Sequence, residues 1–180
     1  IQRRPITDVM GRRLGNSIIL AGFALLVSVP LAVIAGTWAG VRPDSPGDRI
    51  VSVVSVVDIS LPEFVTGVLL IIVFSLWIPL FPTTSGVPTG TSPLTRPQIL
   101  VLPMLTLTAV MFAYVMRMTR ANVIEVMQSY YVRTAILKGL PMRRVILRHV
   151  LPNSMLPTIS IIAMNLGWML GGLIIVENVF

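Results

Sequence analysis

The sequence predicts an all-α fold, a polytopic bundle of transmembrane helices, from three observations. The 180 residues are 54% hydrophobic and 12% charged, with a mean hydropathy of +0.87, which is far more apolar than a soluble globular domain. The apolar residues are gathered into runs long enough to cross about 30 Å of hydrocarbon. Inside hydrocarbon the backbone must satisfy its own hydrogen bonds, so these runs are predicted as helices rather than open strands.

Four spans are predicted in chain order. They cover about 18–40, 50–77, 99–117 and 153–176. Pro62 interrupts the second span, because proline removes a helical hydrogen bond and frees a carbonyl that needs another donor. The stretch 79–97 is rich in proline and is predicted as a connector between spans. We interpret 1–180 as a single transmembrane domain, and expect it to be an excerpt that lacks a preceding span and a C-terminal span.

Lys and Arg are unevenly divided between the two sides of the predicted bundle. With four spans, the 42–49 turn and the 117–149 loop lie on one side and carry nine of the 14 Lys and Arg residues. The positive-inside rule therefore favours a cytoplasmic position for the large loop, about 118–150. The other side carries five, four of them near the N-terminus, in a segment expected to be an interfacial helix. The predicted location is the cell (inner) membrane.

Gly139 and Pro141 divide this loop into two predicted short helices. Glycine suits a helix C-terminus with positive φ, and proline suits the first helical position because its missing N–H would be unpaired there. In the second helix Met142, Val145, Ile146 and Val150 fall on one face, while Arg143, Arg144 and Arg148 fall on the other. Leu151-Pro152 is expected to lead back into the membrane. Spacing alone leaves two partners open, a protein or anionic lipid headgroups.

A pattern in the loop resembles the signature of ABC-importer permease subunits. Arg133-Thr134-Ala135 is followed after three residues by Gly139 and after nine more by His149-Val150-Leu151-Pro152. The family signature reads Glu-Ala-Ala, three residues, Gly, nine residues, Ile-x-Leu-Pro. The departures at Arg133-Thr134 and His149 resemble the branch that imports dipeptides, oligopeptides and nickel. SLPEFVTGVLLIIVFSL and LGGLIIVENVF are also similar to spans of that branch.

The resemblance implies a type I ABC-importer permease fold with a short cytoplasmic coupling helix. It assigns the ATPase-coupling loop to Arg133, Thr134, Ala135, Lys138, Gly139, Leu140, Pro141 and Met142. It implies cytoplasmic ABC ATPase subunits, a second permease subunit (a paralogue or an identical copy), an extracytoplasmic solute-binding protein and the lipid bilayer as partners. The chain itself would be a transport subunit rather than an enzyme, and its solute would be a peptide. ATP and Mg²⁺ would be used by the partner subunits, with no cofactor bound by this chain.

Glu63, Asn165 and Trp168 are the candidates for the translocation path. Charged groups at membrane depth are costly and often functional, although Glu63 also fits a structural or interfacial acid. Asn165 also fits a hydrogen bond between helices, and Gly167-x-x-x-Gly171 favours close helix packing.

Asp58 and Glu63 support a second hypothesis, an ion-coupled secondary transporter or channel that uses these two acids as a relay. The absence of an inverted repeat counts against it.

Other function classes are excluded by residues that the sequence lacks. Without cysteine there is neither a disulfide framework nor a thiolate metal site. There is no Walker phosphate-binding loop and no H-E-x-x-H or G-x-S-x-G motif. The basic residues flank apolar runs instead of forming a basic face with aromatics on a soluble module, so nucleic acid is not an expected partner.

Overall fold

The computed structural model describes residues 6–83 and 97–179, and every regular element in these ranges is helical. The α-helices are α1 (Ile6–Val41), α2 (Pro46–Ser60), α3 (Glu63–Ile71), α4 (Val101–Met127), α5 (Tyr130–Leu137), α6 (Met142–Val145) and α7 (Leu151–Val179). A π-helical segment, Ile72–Trp77, extends α3, and a second one, Ile146–Val150, joins α6 to α7. A short 3-10 turn, Pro97–Leu100, leads into α4. The predicted all-α polytopic fold is confirmed, while most of the predicted 79–97 connector lies outside the described residues.

Three described helices are long and apolar enough to cross a membrane. They are Ser17–Val41, Pro97–Met127 and Met142–Met169, and α2 with α3 and its π-helical extension makes a fourth if the interrupted pair counts as one span. The predicted spans at 18–40 and 99–117 fall inside the first two, and the predicted span at 153–176 overlaps the third. The helices extend beyond the predicted spans, because a helix satisfies its own backbone and need not end at the membrane surface.

The interruption predicted at Pro62 is a complete break between two helices. Helix α2 ends at Ser60, and Leu61 and Pro62 are both extended, with ψ of 133° and 143°. The residue before a proline is driven out of the helical region by the proline ring, which explains the extended Leu61. The carbonyl of Asp58, which the missing proline N–H leaves free, accepts the N–H of Leu61 instead at 3.2 Å. The prediction that this carbonyl needs another donor is confirmed.

The second half of the predicted loop differs from expectation. From Met142 the helix continues through the π-helical segment into α7, so the second short helix is the beginning of a long one and Pro152 lies inside it. The Leu151 N–H donates to the carbonyl of Ile146, five residues earlier. This i to i−5 bond lies immediately before Pro152, whose nitrogen has no hydrogen to donate. Pro141 precedes the first helical residue instead of being it, and its carbonyl accepts the first N–H groups of the helix.

The chain divides into two compact units, each with its own apolar core. The first consists of the described residues of 1–27, 62–108 and 169–180. Its core contains Leu20, Ala21, Ala24, Leu107, Met169 and Val176. The second unit consists of 28–61 and 109–168 and contains the entire predicted coupling loop. Its core, described below, lies directly under that loop.

Candidate coupling site

Helix α5 ends in a Schellman motif that fixes the turn at the tip of the loop. Gly139 has a φ of +76°, and its N–H donates to the carbonyl of Ile136 at 2.9 Å. The Leu140 N–H donates to the carbonyl of Ala135 at 3.3 Å. These are the two reverse bonds of the motif, and a left-handed residue at this position favours glycine because it has no Cβ. The positive φ predicted for Gly139 is confirmed.

The predicted loop residues divide between the interior and the surface. Ala135 is buried and Leu140 is half-buried, and both belong to the apolar cluster beneath α5. This contact is the apolar one that accompanies a Schellman motif. The exposed residues are Arg133, Thr134, Lys138, Gly139, Pro141 and Met142. Met142 was expected on the apolar face but is 46% exposed, because it begins its helix at the turn, before the first residue that packs inward.

Large apolar side chains project from α5 into the surroundings. Tyr130 is 87% exposed and Leu137 is 84% exposed, one at each end of this helix of 8 residues. Ile136, beside the turn, is also exposed. An exposed apolar group on a polar, basic loop is typical of a surface that another protein covers. The helix therefore has one face anchored in its own chain and another free for a partner.

The anchored face packs against an apolar cluster, which we call the anchor cluster. Its buried members are Val123, Val132, Ala135, Val145 and Val150, with Val41, Val126, Met127 and Leu140 packed against them. The cluster joins α5 to the end of α4, to the beginning of the α6–α7 helix and to the end of α1. Close-packed cores transmit displacement instead of absorbing it, so a force on α5 reaches three longer helices.

A buried ion pair links the first turn of α2 to α4. The carboxylate of Asp48 is 2% exposed and receives two hydrogen bonds from Arg120, one from Nη2 to Oδ2 at 2.7 Å and one from Nε to Oδ1. The Asp44 N–H and the Ser52 hydroxyl also donate to this carboxylate, at 2.9 Å and 3.2 Å. A buried carboxylate is tolerable only when it is paired and hydrogen-bonded in this way. We call this pair the clamp.

Two glycines bring α1 and α4 into close contact. A Cβ at Gly36 would lie 2.6 Å from the carbonyl oxygen of Met116, and one at Gly40 would lie 2.8 Å from the Val123 side chain. The G-x-x-x-G spacing puts both glycines on one face of α1 and allows the backbones to approach. On α4, Asn122 donates through Nδ2 to the Ser154 carbonyl at 3.3 Å and to the Thr158 hydroxyl at 3.1 Å. Helix α4 is thus tied to α1, to the first turn of α2 and to α7.

The three predicted path residues are divided between the two units. Glu63 begins α3 in the first unit and is half-buried, and one of its carboxylate oxygens has no hydrogen-bond partner among the described residues. Asn165 and Trp168 lie in the second unit. The Asn165 amide donates to the carbonyl of Ile161 on its own helix at 2.9 Å, so the expected bond between helices is not observed in the described ranges. Trp168 is 62% exposed and meets Tyr114 edge-to-face, with ring centroids 6.0 Å apart.

The close packing expected at Gly167 and Gly171 is absent from the described structure. A Cβ at either position would meet nothing within 4 Å. The close helix contact occurs at Gly36 and Gly40 instead.

Asp58, the partner of Glu63 in the ion-relay hypothesis, is half-buried on α2, and the two acids belong to separate units.

The chain is similar to a known protein family over residues 28–180 and to individual proteins over its full length. The family described as "Binding-protein-dependent transport system inner membrane component" matches residues 28–180. The glutathione transport system permease protein GsiC of Escherichia coli (strain K12) is 34% identical over 183 residues, which cover 100% of this chain and 56% of that protein. The proteins of the same name from Shigella flexneri serotype 5b and Shigella boydii serotype 4 have the same identity and coverage. The chain thus spans 56% of the length of these relatives.

Proposed function

The chain belongs to the family of binding-protein-dependent transport system inner membrane components, and from this premise we propose that it forms half of the solute pathway of an ATP-driven importer. It is a multi-pass inner-membrane transport subunit. The ABC-permease family predicted from the loop pattern is confirmed. The ion-coupled alternative is not favoured, because it has no counterpart in the family match.

The observation that carries the proposal is the two-faced geometry of α5. One face is held by the anchor cluster, and Leu137 is 84% exposed beside the Schellman turn. We propose that this exposed face, with Arg133, Thr134, Lys138 and the turn 139–142, docks on a cytoplasmic ABC ATPase subunit. The apolar side chains would enter the partner's surface, and the basic ones would meet its acids.

The proposed cycle uses the described packing as a lever. ATP and Mg²⁺ bind to the ATPase subunits and not to this chain. Closure of those subunits displaces α5, and the anchor cluster passes the displacement to α1, α4 and α7, which shift between inward-facing and outward-facing arrangements. Rigid-body elements with two discrete arrangements are the usual basis of such switching. A second permease subunit supplies the other half of the pathway, and an extracytoplasmic solute-binding protein delivers the solute.

The proposed solute is a small peptide. The relatives named above are described as permeases for glutathione, which is itself a tripeptide, and the loop pattern favours the peptide branch. Glu63, Asn165 and Trp168 remain candidates for contact with the solute. Trp168 is 62% exposed, whereas the other two are half-buried.

Uptake into membrane vesicles tests the proposed function. Right-side-out vesicles containing the complex, with or without enclosed ATP, are supplied on the outside with the solute-binding protein and a labelled peptide. ATP on the cytoplasmic side should support uptake, and a proton gradient without ATP should not. Uptake driven by the gradient alone, and abolished by neutralising Asp58 and Glu63 to Asn and Gln, would instead establish the ion-coupled alternative.

A further inference from the structure

Three exposed arginines at the start of the re-entering helix have no role in the proposed docking of α5. Arg143 and Arg144 lie on α6, and Arg148 lies on the π-helical segment. All three are exposed, and none forms an ion pair with an acid in the described ranges, where the clamp holds the single ion pair observed. Glu125, an exposed acid at the end of α4, is unpaired there as well. We call the three arginines the basic cluster.

The π-helical segment determines the register of this cluster. Val145 and Val150 are five residues apart and both fully buried, and Arg143 and Arg148 are five residues apart and both exposed. In an uninterrupted α-helix, residues five apart point in directions about 140° apart. Hydrogen bonding from i to i−5 brings them closer to one face. The segment therefore keeps both valines in the anchor cluster while both arginines stay outside.

The cluster lies at one end of a helix that can cross the membrane. That helix runs from Met142 to Met169, and its 28 residues measure about 42 Å, about 12 Å more than the hydrocarbon. Arg143, Arg144 and Arg148 lie in its first two turns, within about 9 Å of that end. The headgroup layer is about 5–8 Å thick on each side of the hydrocarbon, and arginine side chains extend further to place their charge there. Leu147, next to Arg148, is 52% exposed. An apolar residue among exposed arginines is unfavourable in water but is typical of a helix face at a bilayer interface.

We propose that the basic cluster binds the phosphate groups of anionic phospholipids at the cytoplasmic surface of the membrane. Guanidinium groups form paired hydrogen bonds with phosphate oxygens, and basic residues next to a span are attracted to an anionic leaflet. The alternative occupant, an acidic surface of a protein partner, is less favoured because the cluster lies on the helix that enters the membrane. The most exposed apolar groups of the loop are Tyr130 and Leu137 on α5, at 87% and 84%, whereas Leu147, next to Arg148 of the basic cluster, is 52% exposed. This lipid site does not depend on the proposed transport function.

Lipid selectivity of the purified permease complex tests the proposal. The complex is reconstituted in phosphatidylcholine vesicles with trace spin-labelled phosphatidylglycerol or spin-labelled phosphatidylcholine, and the motionally restricted fraction gives the relative affinity of the two lipids. The variant R143Q/R144Q/R148Q removes three charges. Its preference for phosphatidylglycerol should fall by at least about fivefold, which is the effect of removing one surface charge. The variant R143K/R144K/R148K should keep most of it.

Several results would overturn the lipid site. The first is an unchanged preference in the Gln variant, and the second is an equal loss in the Lys variant, which keeps the charge. The third is the loss of a co-purifying protein from the Gln variant with unchanged lipid preference, which would assign the cluster to that protein. A salt titration of the unmodified complex gives a readout that requires no substitution. The preference should fall as ionic strength rises, and a preference insensitive to salt would contradict the proposal.

Discussion

Substitution of Gly139 measures the energetic cost of a positive φ in the turn without a contribution from side-chain packing. A residue with a Cβ in the left-handed region costs about 1–2 kcal/mol, and alanine regains about 0.4–1 kcal/mol by restricting the unfolded chain. A Cβ at this position would meet nothing within 4 Å, so no steric penalty is added. The net cost of Gly139→Ala is about 1 kcal/mol, which corresponds to about a fivefold change in the opening equilibrium of the turn.

Hydrogen exchange of the Leu140 amide measures that equilibrium, because its N–H donates to Ala135 inside the turn. Exchange should be about fivefold faster in Gly139→Ala. It should be less accelerated in Gly139→Asn, since asparagine tolerates the left-handed region. Gly22→Ala, in a helix and with nothing within 4 Å of the added Cβ, is the control and should leave this amide unchanged. Equal acceleration by Ala and Asn, or none by Ala, would refute the assignment of the cost to φ.

Three further substitutions test the packing that holds the loop. Gly36→Ala places a Cβ 2.6 Å from a backbone oxygen of α4 and should lower the thermal midpoint of the complex by the equivalent of about 1–3 kcal/mol, whereas Gly22→Ala should not; equal midpoints would contradict the close contact. Asp48→Asn and Arg120→Gln should each cost about 2–3 kcal/mol, since the pair is buried on one side only, and the double variant should lose well under the sum; additive losses would argue against the clamp. Asn122→Leu removes two hydrogen bonds to α7 and should cost about 1 kcal/mol in the same assay, so an unchanged midpoint would show that those bonds contribute nothing.

The fold and the turn follow from properties that the sequence displays directly. Hydropathy predicts the helices because the bilayer requires an internally satisfied backbone. The break at Pro62 follows from the missing N–H and the steric effect of the ring on Leu61. Gly139 is predictable because a left-handed turn after a short helix strongly favours glycine. In each case the determining interaction is local in the chain.

The contacts that hold the loop could not be predicted, because they depend on which helix faces meet. Gly36-x-x-x-Gly40 and Gly167-x-x-x-Gly171 have the same spacing, yet only the first makes close contact in the described structure. The clamp pairs residues 72 positions apart. Arg120, the partner of Asp48, belongs to the predicted 117–149 loop but lies on α4. The local sequence indicates only that a helix begins here, because Ser45 caps α2 by accepting the Asp48 N–H. It does not indicate the ion pair of Asp48.

Which polar residues within helices bond to a neighbouring helix could not be predicted either. Asn165 was the expected link between helices, but Asn122 makes the link to α7. Both are asparagines within helices, and nothing in the flanking sequence distinguishes the face that meets a neighbour. The π-helical segment at 146–150 also changes the register between Val145 and Val150, which a regular 3.6-residue period does not predict.

Cysteine cross-linking at Leu137 tests most directly whether the exposed face of α5 docks on an ATPase. The chain contains no cysteine, so Leu137→Cys introduces a single reactive site in this sequence, and Leu156→Cys on α7, which is 68% exposed, provides the control. In the intact complex, a short bifunctional reagent should join position 137 to the ATPase subunit, with a yield that changes when ATP is added, and should leave position 156 unlinked to it. An intact, transporting complex in which position 137 never links to the ATPase would contradict the coupling role proposed for this loop.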